Sequence, residues 1–237
     1  MARRVPPPPS VRDEWLRRVE AEYRSATITQ HLTLWLMQIG ASPDLLRAGL
    51  RIAGDEVRHA ELSHRAYVAA GGEAPPALVR ETLGLRRRED EPLEHDVLRT
   101  VVEIFCLGET VAVPLFKELR AGATVPAARR ALDRILVDEV RHRDFGWVSL
   151  EWLFSLPCAP ALRAIVEREL PRWLGRIRDH YGRSESTAVS PAERSWGLMA
   201  PATYRACVEK AYRRDYLPRF RRLGVDAARA WDGDACA

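Results

Sequence analysis

The pentapeptide DEVRH stands at Asp55–His59 and again at Asp138–His142, and this repeat decides the interpretation of the whole chain. In each copy a glutamate precedes a histidine by three residues. Residues three apart share one face of an α-helix, so each copy delivers a carboxylate and an imidazole to the same point in space. A chance match of five residues is improbable. The two copies therefore form an internal repeat and predict two helices that face each other.

Four long helical patterns surround the repeat. Their bounds are about Val11–Ile39, Pro43–Ala70, Glu94–Ala121 and Val125–Leu156. Gly40 ends the first, and the Gly- and Pro-rich residues 71–93 form a long connection between the second and the third. Short, long and short connections are typical of a ferritin-like four-helix bundle, because its middle crossover returns along the full length of the bundle. The fold class predicted is therefore all-α.

The rest of the chain is assigned to two flanking regions. Residues 1–10 are rich in proline and are expected to be non-helical. Residues 11–156 are expected to form the bundle. Residues 157–237 carry two further helical patterns, about 161–181 and 201–222, which are expected to pack on the bundle as a C-terminal extension.

Helical phase selects the carboxylates that join the repeat. At about 100° per residue, Glu56 and Glu139 lie on apolar faces. In the third helix Glu109 shares a face with Phe105, and in the first helix Glu22 lines up with Trp15. A single Glu-x-x-His is more often a surface pair than a ligand motif, but two inward copies with two inward glutamates indicate a buried site.

Such a site needs cations. Four glutamates buried together repel one another and lose their hydration, whereas two divalent ions neutralise them. Oxygen and imidazole donors suit iron, with manganese as the alternative. Asp55 and Asp138 are expected to accept the free ring N–H of a ligand histidine on the facing helix. The predicted metal ligands are Glu22, Glu56, His59, Glu109, Glu139 and His142.

Composition argues against several function classes. The net charge is only +4, and arginines alternate with acidic residues, which disfavours nucleic-acid binding. No run of about eighteen apolar residues exists to span a membrane. The proline run after Arg4 replaces the apolar core of a secretory signal. The four cysteines are scattered and form no CxxC pair, so a reducing cytoplasm is expected.

The doubled DEVRH, with Glu22 in EYRSATITQHLTLWL and Glu109 in CLGETVAVPLF, resembles the ferritin-like di-iron superfamily, which includes bacterial multicomponent monooxygenases. The resemblance covers about residues 11–156. It implies a two-iron centre that reacts with dioxygen or peroxide. The chain lacks the CxxC segment of rubrerythrins, keeps both histidines where ordinary ferritins have lost one, and shows no third core-facing histidine of the kind related N-oxygenases need.

The function expected from this resemblance is that of an oxygen-activating di-iron oxidoreductase, an oxygenase or oxidase, with a small organic substrate. A separate reductase is expected to supply electrons, since no flavin, haem or iron–sulfur motif is visible. The alternatives are a metal-handling ferroxidase or peroxide-detoxifying protein, and a non-catalytic helical module with a vestigial site. The additional C-terminal helices favour a homodimer.

Overall fold

The computed structural model describes residues 7–182 and 188–233. All regular structure in these two ranges is helical, and neither contains a β-strand. This confirms the all-α prediction. No helix in the described ranges is both long and apolar enough to cross a lipid bilayer.

Two antiparallel helices open the chain, α1 (Pro9–Gln38) and α2 (Pro43–Ala69). Helix α1 begins two residues before the predicted start. Proline is well tolerated there, because the backbone N–H groups of the first helical turn have no acceptor within the helix and proline has no N–H to satisfy. Each helix is followed by a glycine with positive φ, Gly40 at 78° and Gly71 at 83°, a conformation that stops a helix with little strain only at glycine.

The third long segment is not the single α-helix that was predicted. It consists of α3 (Leu93–Thr100), a π-helix here called π1 (Val101–Glu109), and α4 (Thr110–Gly122). Helix α5 (Pro126–Leu153) follows after a short turn. A π-helix winds more widely than an α-helix and is often found at functional sites. Here it ends at one of the predicted ligands.

These segments pack side by side, and the buried apolar residues of the described ranges form two clusters. Helix α1 lies along α2, α2 lies along α5, and π1 and α4 lie along α5. The crossover between α2 and α3 runs beside α1: the amide N–H of Ala77 donates to Glu20 at 2.7 Å, and that of Leu85 donates to Nδ1 of His31 at 3.1 Å. It contains one 3-10 turn, Arg80–Thr82.

The C-terminal region is divided more finely than the two helices predicted from sequence. It contains α6 (Ala159–Gly182), α7 (Pro191–Ser195), α8 (Pro201–Ala211), a second π-helix π2 (Tyr212–Tyr216), α9 (Leu217–Arg222) and α10 (Ala227–Gly233). Helix α8 packs on α4 and α6, and α6 contacts α3 and π1. From π2, the buried hydroxyl of Tyr216 donates to the Leu107 carbonyl at 2.6 Å. The extension therefore holds π1 from outside.

Candidate metal centre

The six predicted ligands come together in the interior as two groups of three. Cluster 1 consists of Glu22, His59 and Glu139. Cluster 2 consists of Glu56, Glu109 and His142. Within each cluster the ligand atoms all lie within 4.8 Å of one another, and all six residues are buried.

The two copies of DEVRH are shared between the clusters. From α2, Glu56 belongs to cluster 2 and His59 to cluster 1, while α5 supplies Glu139 to cluster 1 and His142 to cluster 2. Helix α1 adds Glu22 to the first cluster, and π1 adds Glu109 to the second. Each cluster therefore needs three separate segments of the chain.

The two histidines point their Nδ1 atoms at the carboxylates. His59 Nδ1 lies 3.3 Å from Glu56 Oε2 and 3.6 Å from Glu22 Oε2. His142 Nδ1 lies 3.3 Å from Glu56 Oε1. The two ring centroids are 5.6 Å apart. Glu56 thus stands between the histidines, and the clusters are close enough to form one binuclear site.

Several polar atoms of this site are buried without a hydrogen-bond partner among the described residues. They include Nδ1 of both histidines, Oε2 of Glu56 and Oε2 of Glu139. A buried polar atom is costly when it is unsatisfied, and native structures rarely keep such atoms without a purpose. These orphaned atoms are all good metal donors that face one another, so the residues present fit a pair of cations.

The far side of each histidine ring faces an aspartate from the other copy of the repeat. His59 Nε2 lies 3.1 Å from Asp138 Oδ2, which is hydrogen-bond distance. His142 Nε2 lies 3.6 Å from Asp55 Oδ2, a longer ion-pair contact. The arrangement turns Nδ1 of each ring toward the carboxylates, as a carboxylate behind a ligand histidine does in metal sites.

Two arginines of α5 tie these aspartates together. Arg141 donates to Asp55 at 3.0 Å and also contacts Asp138, and Arg134 contacts both aspartates. Arg58, the equivalent of Arg141 in the first copy, is exposed instead. Sequence reasoning missed Arg134, although its position four residues before Asp138 places both on one helix face.

The ionisable side chains of clusters 1 and 2 have pKa values that are shifted by burial and by one another. Burial raises the pKa of Glu22 to about 7, and burial with the nearby Glu109 raises the pKa of Glu139 well above its ordinary value. Burial opposes a charge on Glu56 as well, but the adjacent histidines hold the pKa of this carboxyl below its ordinary value. Burial likewise disfavours protonated His59, yet Glu22 and Glu56 raise its pKa to about 11. Protons and metal cations would therefore compete for the same atoms.

No family model, curated protein or solved structure matches this chain. The interpretation of the site therefore depends on its own geometry.

One further hydrogen bond belongs to the candidate metal centre: Ser25 on α1 donates from Oγ to Glu56 Oε1 at 2.9 Å. This bond holds the central carboxylate from the side of α1.

Proposed function

We propose that this chain is a ferritin-like di-iron carboxylate protein that uses dioxygen or peroxide to oxidise a small organic molecule. The observation that supports the proposal is the pair of interleaved Glu/Glu/His clusters around two facing histidine rings. Two Glu-x-x-His motifs with one additional glutamate from each of two other helices are the ligand pattern of di-iron and di-manganese bundles.

The donor set supports iron. When ionised, the four carboxylates carry four negative charges, which two divalent ions would neutralise. Carboxylate with imidazole donors suits iron or manganese better than a metal that prefers thiolates. Cys106 is the cysteine nearest in sequence to a ligand, and burial raises the pKa of its thiol well above the ordinary value, so a thiolate is disfavoured there. The ions would be held by the six residues of clusters 1 and 2.

Two iron ions held by these residues would supply the one-electron and oxygen chemistry that protein side chains lack. The chain itself contributes position and environment. Asp138 fixes the ring of His59, Ser25 fixes Glu56, and the surrounding helices keep the ligands out of bulk water. A separate reductase is proposed as the source of electrons.

Metal analysis tests the site first. The native chain should carry about two metal ions per chain, the number expected for a binuclear bundle with this ligand pattern. Glu56→Ala should lose most of that metal because Glu56 contacts both histidines. Glu118 is an exposed glutamate on α4, so Glu118→Ala is the matched control and should keep the native metal content. A native protein that binds no iron or manganese would contradict the proposal.

Single-turnover reaction with dioxygen tests the chemistry. Reduced, iron-loaded protein is mixed with dioxygen alone and with a panel of small organic compounds. The proposal expects at least one compound to be oxidised in proportion to the iron present, with the iron retained by the protein. Steady oxidation of added iron into a mineral, with no compound changed, would instead support the ferroxidase function.

A further inference from the structure

A pocket of about 370 Å³ lies between the end of the crossover, helix α6 and the outer face of α3 and π1. Five of the side chains that line it are arginines: Arg86, Arg88, Arg99, Arg172 and Arg176. Among the described residues, two carboxylates line the same pocket, those of Asp96 and Glu103. None of the residues of clusters 1 and 2 lines it, so this pocket is separate from the candidate metal centre.

The most buried of these arginines is fully engaged with carboxylates. Arg99 is 8% exposed. Its Nη2 lies 2.7 Å from Glu91, its Nη1 lies 3.3 Å from Asp96, and its Nε lies 3.2 Å from Glu169. All three guanidinium nitrogens are occupied, so Arg99 holds the surrounding acids in place and leaves ligand binding to the other arginines.

The arginines at the rim of the pocket are more exposed and less completely paired. Arg172 and Arg176 each contact a single glutamate, and their side chains are 54% and 52% exposed. Arg86 is exposed and contacts no carboxylate of the described residues. A guanidinium has five N–H donors, and one carboxylate accepts about two of them in a bidentate pair. Donors therefore remain for a bound anion.

The charges around the pocket do not cancel. Arg168 contacts Glu169 at 3.2 Å from outside the pocket, which brings the number of arginines in this network to six. The carboxylates that contact them number four: Glu91, Asp96, Glu103 and Glu169. Glu89 and Asp90 follow the arginine run in the sequence but do not line the pocket. Two positive charges are therefore left for a ligand to balance.

The inner wall of the pocket is apolar and fixed in position. Four side chains form it: Trp35, Trp173, Leu85 and Ile104. The crossover is held here by the bond from the amide N–H of Leu85 to His31. A second bond runs from the amide N–H of Arg88 to Asp96 Oδ2 at 2.8 Å. A pocket that is already formed binds a ligand at a lower entropic cost.

We propose that this pocket binds a small phosphate monoester with an apolar body. Such a phosphate carries about 1.5 to 2 negative charges at pH 7 and has three strong acceptor oxygens, which matches the surplus charge and the several arginines at the rim. The apolar wall gives the ester group a surface to pack on, and inorganic phosphate has no such group. This inference does not depend on the proposed function.

Calorimetric titration of the full chain, as purified, with phenyl phosphate tests the pocket. The native protein should bind it at one saturable site with a Kd of about 1 mM or lower. Inorganic phosphate should bind at least about tenfold more weakly, because it leaves the apolar wall uncovered. Phenol, which lacks the charge, should show no saturable binding. If inorganic phosphate binds as tightly as phenyl phosphate, the assignment of an apolar body is wrong.

Two arginines of α6 provide a matched pair of variants. Arg172 and Arg168 both contact Glu169 and are 54% and 62% exposed, but Arg168 does not line the pocket. Arg172→Ala should weaken phenyl phosphate binding by about tenfold, whereas Arg168→Ala should change it by less than about twofold. Arg86→Ala, far from α6 in the sequence, should also weaken binding by about tenfold. Thermal unfolding of each variant shows that the fold is retained.

Three results overturn the proposal. The first is a native chain that does not bind phenyl phosphate saturably. The second is an equal loss of binding in Arg172→Ala and Arg168→Ala. The third is binding that survives Arg172→Ala and Arg86→Ala but disappears when a chelator removes metal, because the phosphate would then be held at the metal centre. Metal content, measured on the same samples, tests the metal proposal separately.

Discussion

Gly146→Ala is the substitution that most directly probes how the π-helix positions a ligand. Gly146 lies on α5 at a close approach to Phe105 and Cys106 of π1. A Cβ added there would lie 2.6 Å from the carbonyl carbon of Phe105, 2.7 Å from its Cβ and 2.8 Å from the amide nitrogen of Cys106. Two of these three atoms are backbone, so no flexible side-chain end can move away to make room.

The size of the effect follows from these distances. Carbon atoms pack at about 3.5–4.0 Å, so π1 must move away from α5 by roughly 1 Å. Overpacking of this kind costs about 1–3 kcal/mol, and for a chain of this length each kcal/mol lowers the melting temperature by about 2–4 °C. Glu109 stands three residues after Cys106 and moves with it. We therefore expect the metal affinity of cluster 2 to fall by at least about tenfold.

Thermal unfolding of the metal-free protein and competition titration with iron(II) measure the two effects. Gly108→Ala is the matched control within π1, because its Cβ would meet only the Glu103 carbonyl oxygen at 3.7 Å, an ordinary contact. The control should lower neither the melting temperature nor the affinity, since alanine is at least as favourable as glycine inside a helix. If Gly146→Ala melts within about one degree of the native protein and binds two metals with native affinity, the close contact does not position Glu109.

Three further results are expected. Asp138→Ala should weaken metal binding by about 10- to 100-fold in the same titration, because His59 loses its hydrogen-bond partner, whereas the more exposed Asp133→Ala should not. Tyr216→Phe should lower the free energy of unfolding in urea by about 1–2 kcal/mol, since the buried Leu107 carbonyl loses a donor; Tyr23→Phe should not. The metal-free protein should lose stability in urea as pH rises from about 4.5 to about 7. Glu22 has a folded pKa of about 7, above its ordinary 4.5, so its stabilising effect is complete below the lower value and lost through the higher one. A profile that stays flat, or one that Glu22→Gln leaves unchanged, would contradict this assignment.

The features that the sequence predicted are those fixed by local rules. Gly40 and Gly71 end helices because their φ is positive, and this requirement is readable from the residue type alone. The Glu-x-x-His spacing places each pair on one face whatever the surrounding structure is. Glu22 was chosen by phase in a helix with no motif, and the structure places it in cluster 1.

The features that the sequence did not predict depend on packing between distant segments. The residues of π1 have an ordinary helical pattern, and their wider winding coincides with the contact to Gly146 and the bond from Tyr216. Some apolar residues of α1 and α2, such as Leu34 and Leu50, have a helical spacing that in sequence resembles that of core-facing residues. The structure shows that they are exposed, because other faces of these helices are buried. The division of the C-terminal region likewise follows tertiary contacts.

The exchange of ligands between the two copies of DEVRH has a consequence for biosynthesis. Because α5 supplies one ligand to each cluster, neither cluster is complete until Glu139 and His142 have left the ribosome. The growing chain up to Gly122 holds three glutamates and one histidine of the centre and lacks the remaining glutamate and histidine. In a metal-binding chain of this design, metal insertion would therefore follow the packing of α5 against α2 and π1.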